Sequence, residues 1–117
     1  MNVPERRPGT IRQRTTLYEE ATRVVQSDFA DDLNLNDVAR RIATSRRQLQ
    51  RIYREIGETT FRDQLTEVRM DRAAELLSSN GYTVREVANR VGYRQPAQFA
   101  KAFRGRHGLS PSEYRRR

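Results

Sequence analysis

The 117-residue chain contains no cysteine, which excludes disulfides, thiol catalysis and cysteine-based zinc sites. It has a single histidine, His107, which cannot form a metal site alone. Lysine is almost missing: of the 23 basic residues only Lys101 is not arginine. Long apolar runs are absent too, and no stretch approaches the roughly 18 residues that span a bilayer. The N-terminus is polar and rich in proline and arginine, unlike a secretory signal. There is no histidine pair and no glycine-rich phosphate loop, and the carboxylates fall mostly on helix surfaces or caps. Nothing here points to an enzyme, a metal or a cofactor.

What the chain does have is positive charge. A formal net charge of +8 and a pI near 10.9 call for a polyanionic partner. Nucleic acid is the first candidate and an anionic membrane surface the second. GC-rich codon usage accounts for most of the arginine-to-lysine ratio but not for the net charge. The length suits one domain, or two very small subdomains sharing a connector.

The most informative stretch is Val87–Tyr114, VANRVGYRQPAQFAKAFRGRHGLSPSEY. A short amphipathic helix with Val84, Val87, Ala88 and Val91 inside stops at Gly92, which suits a tight reversal. A second helix starts near Pro96, a residue tolerated in a first turn. Phe99, Ala102 and Phe103 recur at i, i+3, i+4 and pack inward, while Ala97, Ala100, Lys101 and Arg104 carry the same spacing on the other side. Two helices joined by a short turn, the second with a polar, cationic face, describe a helix-turn-helix. A last helix begins after Gly108, with Ser110 as N-cap, Pro111 at the first helical position and Glu113 completing a capping box.

The same pattern occurs earlier in the chain. Met1–Arg14 lacks apolar periodicity and is expected to be a solvated arm. Thr15–Phe29 places Leu17, Ala21, Val24, Val25 and Phe29 near helical period. Asn34 is expected to cap a helix running through Ala39 and Ile42, with Leu33 stapled to Val38. Ser45-Arg46-Arg47-Gln48 predicts a second capping box and a helix with Leu49, Ile52, Tyr53 and Ile56 inside, ended by Gly57. Its outward stripe is Arg47, Gln50, Arg51 and Arg54. Ala39 and Ile42 match Ala88 and Val91. Leu49, Tyr53 and Arg54 match Phe99, Phe103 and Arg104 one register position later. Gly57-x-Thr59 echoes Gly108-x-Ser110. This is an internal repeat of about fifty residues, hence two helix-turn-helix units.

Between them Thr60–Ser79 reads as a helix with two apolar stripes, Phe61, Leu65, Val68, Leu76 and Met70, Ala73, Ala74, Leu77. A helix apolar on two sides packs against two neighbours, so it is a shared connector. About twenty helical residues span about 30 Å, close to the ~34 Å turn of B-DNA. Asn80-Gly81 ends it, and Thr83-x-x-Glu86 caps the next helix, with Tyr82 and Val87 as the staple. The expected fold is all-α with about seven helices. Its parts are an arm (1–14), a first helix-turn-helix subdomain (15–59), a linker helix (60–79) and a second subdomain (80–117).

Gly92-Tyr93, the Phe99/Phe103 pair and Gly108 through Arg115 closely resemble the C-terminal signature of the AraC/XylS family of bacterial transcription regulators. The doubled layout extends the resemblance over roughly Thr15–Arg115. It implies a sequence-specific double-stranded DNA-binding regulator of cytoplasmic, nucleoid-associated type. It implies either a stand-alone protein of the MarA/SoxS type or the DNA-binding part of a longer regulator with an effector domain. Stand-alone members bind as monomers and activate by contacting RNA polymerase, which the resemblance suggests here. A relative used in alkylation repair carries methyl-accepting cysteines, and their absence excludes that activity. The alternative reading is a non-specific DNA-packaging protein acting through charge alone.

Base reading by a helix needs arginine for guanine, glutamine for adenine and small apolar groups for the thymine methyl. Arg47, Gln50 and Arg51 suit this, with Arg46 and Arg54 nearer the flanks, and the resemblance puts base contacts at Arg47, Gln50 and Arg51. The second reading face offers Gln95, Ala97, Gln98 and Lys101, with Ala100 beside them. Gln95 stands where the family more often has serine, and Ala43 where it often has glycine. The first unit is therefore expected to read most bases. Arg54, Tyr93, Arg94, Arg104 and Arg106 are expected at phosphates. Helix starts at Asn34 and Thr83 can present N–H groups to phosphate besides being capped. Tyr114 is expected to pack, and Arg115–Arg117 to add only charge. Both cationic faces must meet one duplex, so Arg47 and Lys101 must not point to opposite sides.

Overall fold

Short-range caps set most helix boundaries. The computed structural model of the chain describes residues 9–117, and among the described residues there are seven α-helices and no strand. They are α1 (Ile11–Asp28), α2 (Leu35–Arg41), α3 (Arg46–Glu55), α4 (Phe61–Ser78), α5 (Val84–Arg90), α6 (Pro96–His107) and α7 (Pro111–Arg115). The all-α, double helix-turn-helix architecture with a long linker helix is the one the sequence predicts. Met1 through Pro8 of the expected arm lie outside the described residues. The rest of the arm departs from expectation, because α1 already begins at Ile11. The Thr10 hydroxyl accepts the Gln13 N–H (3.1 Å), and Gln13 Oε1 accepts the N–H groups of Gly9 and Thr10 (2.9 and 3.2 Å). Thr10-x-x-Gln13 is thus a capping box that outweighs the lack of apolar periodicity.

The chain forms two compact units. Among the described residues, 9–28 and 32–64 make up the first, and residues 29–31 and 65–117 the second, so α4 contributes its opening turn to one and its remainder to the other. In the first unit Leu17, Ala21 and Val25 of α1 are buried, as are Leu33, Val38, Ala39, Ile42, Leu49, Ile52 and Tyr53. A buried polar knot accompanies them. The Tyr53 hydroxyl donates to Gln64 Oε1 (2.6 Å), and the Gln64 amide donates to the Tyr18 hydroxyl (3.2 Å) and to Thr22 (2.9 Å). Burial pushes the Tyr53 phenol's ionisation far above its usual value, so the hydroxyl keeps its proton. Gly57 does not end α3 by a left-handed turn. It leaves room for Tyr18, whose ring carbon Cε1 would lie 2.4 Å from an added Cβ, and the left-handed residue is Glu58 (φ 53°).

The second unit buries Met70, Ala73, Ala74, Leu77, Val87, Ala88, Val91, Phe99 and Phe103. Tyr114 stands edge-on to Phe103 at 5.3 Å. His107 lies against Phe103 (4.6 Å) with Nε2 3.1 Å from the Met70 carbonyl, so the lone histidine is a packing residue. Arg69 ties residues 29–31 into this unit by donating to the carbonyls of Phe29 (2.7 Å) and Asp31 (3.0 Å) while lying 5.6 Å from the Tyr93 ring centre. Arg115 departs from its expected role as spare charge. It is half-buried and donates to the carbonyls of Leu77 and Tyr82, satisfying backbone groups at and beyond the end of α4.

Candidate nucleic-acid interface

Each unit makes its tight turn with the same hydrogen bonds. In the first, the Ala43 N–H donates to Arg40 O (3.2 Å) and the Thr44 N–H to Ala39 O (2.9 Å). In the second, the Gly92 N–H donates to Asn89 O (3.2 Å) and the Tyr93 N–H to Ala88 O (2.9 Å). The reversal needs a positive φ, which Gly92 adopts at 97° and Ala43, despite its Cβ, at 57°. The second turn then carries one more residue before its N-cap, Gln95 against Ser45. That extra residue is the one-position register change seen in the repeat.

Ser45 accepts the Gln48 N–H (3.1 Å) and starts α3, yet the expected box is only half formed. Gln48 Oε1 instead accepts from the buried Thr44 hydroxyl (2.9 Å), which would otherwise lack a partner. Leu49, Ile52 and Tyr53 anchor α3, leaving Arg46, Arg47, Gln50, Arg51 and Arg54 exposed. Arg46, Arg47 and Arg54 form no ion pair with any described residue. Arg51 has Glu55 one turn on, at 3.7 Å. The face is arginine-dense and is pinned by three buried side chains.

In α6, Phe99 and Phe103 do the anchoring, and Gln95, Ala97, Gln98, Lys101 and Arg104 are exposed, with Ala100 half-buried. Gln95 makes no side-chain cap, in keeping with the looser start its identity suggests. The phosphate candidates differ among themselves. Arg94 is exposed, while Tyr93 is half-buried with its ring centre 5.8 Å from that of Phe99. Arg104 lies 3.4 Å from Glu113. Arg106 departs furthest from expectation. It forks onto Asp71 through Nε and Nη2, both at 3.1 Å, with Glu67 4.0 Å away. That pair raises its already high ionisation and ties the end of α6 to α4, leaving much of its charge balanced inside the unit.

The shorter helices start as predicted. Asn34 accepts the Asp37 N–H (2.9 Å), and complete capping boxes join Thr83 to Glu86 and Ser110 to Glu113. Backbone and hydroxyl donation from Thr83 holds Glu86 below the usual carboxylate range, and the Ser110 hydroxyl and N–H do the same for Glu113. Asp28 is lowered by the Arg41 guanidinium. Among the described residues no group of histidines and carboxylates can hold a metal ion, and no helix is long and apolar enough to cross a membrane.

Two helix-turn-helix units, each presenting a second helix whose outer face is polar and cationic, define a DNA-binding protein. The family described as a helix-turn-helix domain matches residues 38–117. An HTH-type transcriptional regulator of Mycobacterium tuberculosis is 37% identical over 111 residues, covering 92% of this chain and 32% of the relative. The C-terminal domain of AraT, a response regulator from Geobacillus stearothermophilus, is 37% identical with a TM-score of 0.81, covering 86% of this chain and 84% of that one. The DNA-binding domain of AdpA, solved in complex with a target DNA, is 30% identical with a TM-score of 0.75, covering 86% and 89%. The chain belongs to the AraC/XylS family of helix-turn-helix DNA-binding transcription regulators. Membership sets it among regulators rather than enzymes. It spans about a third of the length of the curated relatives it matches.

Proposed function

We propose that this chain reads an asymmetric double-stranded site of about 20 bp as a monomer, with α3 and α6 in adjacent major-groove segments. The observation that carries this reading is the pair of turns with matching hydrogen bonds, each delivering a helix with a buried apolar face and an exposed polar one. Arg46, Arg47, Gln50 and Arg51 supply most base recognition. Gln95, Ala97, Gln98 and Lys101 add weaker readout, since two alanines in that face (Ala97 and Ala100) offer methyl contacts but no hydrogen bonds. Arg54, Arg94 and Arg104 grip phosphates, with Tyr93 beside them, and Arg106 contributes only so far as DNA draws it from Asp71. The regulator acts in the bacterial cytoplasm and activates transcription by recruiting RNA polymerase.

Selection of bound duplexes from a random pool tests the site. The expected product is an asymmetric motif with two blocks one helical turn apart. Enrichment of a palindrome or of one block would overturn the two-headed reading. Uniform binding that varies only with salt would favour the DNA-packaging alternative. Transcription from a promoter carrying the selected motif, with purified polymerase, tests activation, and repression there would overturn it.

A further inference from the structure

Glu55 is a carboxylate at the end of an otherwise cationic helix, and its two oxygens are divided between two arginines. Oε1 lies 3.7 Å from Arg51 Nε, one turn back on α3, while Oε2 accepts a hydrogen bond from Arg14 of α1. Arg14 is well covered, its side chain 24% exposed, whereas the Arg51 side chain is 66% exposed. Beside them is a notch of about 190 Å³ lined by Gly9, Arg14, Gln48, Arg51 and Ile52. The carboxylate is therefore held from behind by α1 and lies beside a side chain on the outward face. The corresponding position in the second unit, fifty residues on, is Gly105, so Lys101 has no such partner there.

We infer that Glu55 is a positioning residue for specificity: it directs the Arg51 guanidinium toward a base edge and opposes approach of phosphates that present no matching base. The inference rests on α3 being the base-reading helix. A long arginine without restraint satisfies any nearby phosphate, and that gain is independent of sequence. A carboxylate beside it penalises a bare phosphate through like charge while leaving the outer edge of the guanidinium able to fork onto guanine. Arg14 keeps Glu55 turned inward, so the restraint does not depend on Arg51 alone.

The test titrates the full chain with the duplex selected above, with that duplex altered at the base pair where Arg51→Ala loses discrimination, and with a scrambled duplex. Glu55→Gln keeps the shape and removes the charge. It is expected to bind scrambled DNA several-fold more tightly, with a salt slope steeper by about one phosphate contact. It should also lose about tenfold in discrimination at the altered pair. In an Arg51→Ala background Glu55→Gln should leave discrimination unchanged, which a merely structural role would not produce. Thermal unfolding monitored alongside shows whether the fold is intact, and Glu55→Asp, too short to reach both arginines, should reproduce the loss if Glu55→Gln is unfolded. Discrimination equal to wild type in Glu55→Gln, or an equal loss with and without Arg51, would overturn the inference alone. A wild-type chain that does not distinguish the selected duplex from the scrambled one would overturn the reading of α3, and this inference with it.

Discussion

The two helix-turn-helix units solve one geometric problem with different chemistry. Tyr53 and Phe103 are equivalent, as are Gln64 and Tyr114, each pair fifty residues apart. In the first unit the pair meets through a buried hydroxyl-to-amide bond of 2.6 Å, and in the second through an edge-on ring contact. The outward faces differ in the same way, with arginines and glutamine on α3 where α6 has alanines and one lysine. A repeated fold constrains where a side chain is buried or exposed, not how its bonding needs are met. That leaves each copy free to drift toward reading or gripping.

Breaking the polar knot should have the largest effect. Gln64→Leu strands the buried Tyr53 hydroxyl and should destabilise the chain by about 1–3 kcal/mol in denaturant unfolding. Adding Tyr53→Phe, which copies the apolar solution of the second unit, should recover most of that loss. A double variant as unstable as the single one would show that the two units are not interchangeable here.

The proposed functional asymmetry is tested on the outward faces of α3 and α6. Arg47→Ala should relax specificity by about 1–3 kcal/mol at one base pair, whereas Lys101→Ala should weaken binding evenly across sequences and lower the salt slope by about 1. Binding titrations over single-base variants of the site measure both. Comparable specificity losses at the two positions would remove the proposed division of labour.

The turns give smaller, opposite effects. Gly92→Ala forces a Cβ to φ 97°, with Arg69 3.1 Å and the Ala30 carbonyl 3.2 Å away, and should cost about 1–2 kcal/mol. Ala43→Gly relieves a left-handed alanine but loosens the unfolded chain, for a net stabilisation of about 0.5 kcal/mol. Thermal denaturation reads both. A loss of stability at Ala43→Gly would mean that the Cβ packs usefully despite its backbone.

Acid should act most weakly. Glu86 and Glu113 have folded values below the ordinary 4.5 because their capping bonds favour the carboxylate. Their contribution is therefore present above that pH and lost as the pH falls through the lowered values. Glu86→Gln with Glu113→Gln should flatten the acid limb of the stability profile. An unchanged limb would place acid sensitivity elsewhere, with Asp28 and Arg41 the next pair to test.

Much of the molecule was legible because its signals are local. Asn34, Ser45, Thr83 and Ser110 cap where the pattern says, and the spacing of Leu49, Ile52, Tyr53 and of Phe99, Phe103 separates core from outer face. Two local signals differ from the simplest reading of the pattern. Residues 9–14 lack apolar periodicity, yet the Thr10–Gln13 box starts α1 there, because a cap needs only two polar side chains three residues apart. Gly57-x-Thr59 echoes Gly108-x-Ser110 in sequence, but the left-handed counterpart of Gly108 is Glu58, which puts Thr60 opposite Ser110 as the cap that follows. Composition hid Arg106, Arg115 and Arg69, since nothing in an arginine's neighbours along the chain tells whether it meets solvent, a carboxylate or a carbonyl.

By itself the sequence determined the helices, their order, the doubled motif and which faces turn inward, because caps and periodicity act over three or four residues. Tertiary structure alone decided the bonds made by distant partners: Gln64 with Tyr18 and Thr22, Arg69 with Phe29 and Asp31, Arg14 with Glu55, Arg115 with Leu77. Those depend on which helix surfaces meet and at what depth, and burial then obliges each polar group to find whatever partner the packing has brought within reach.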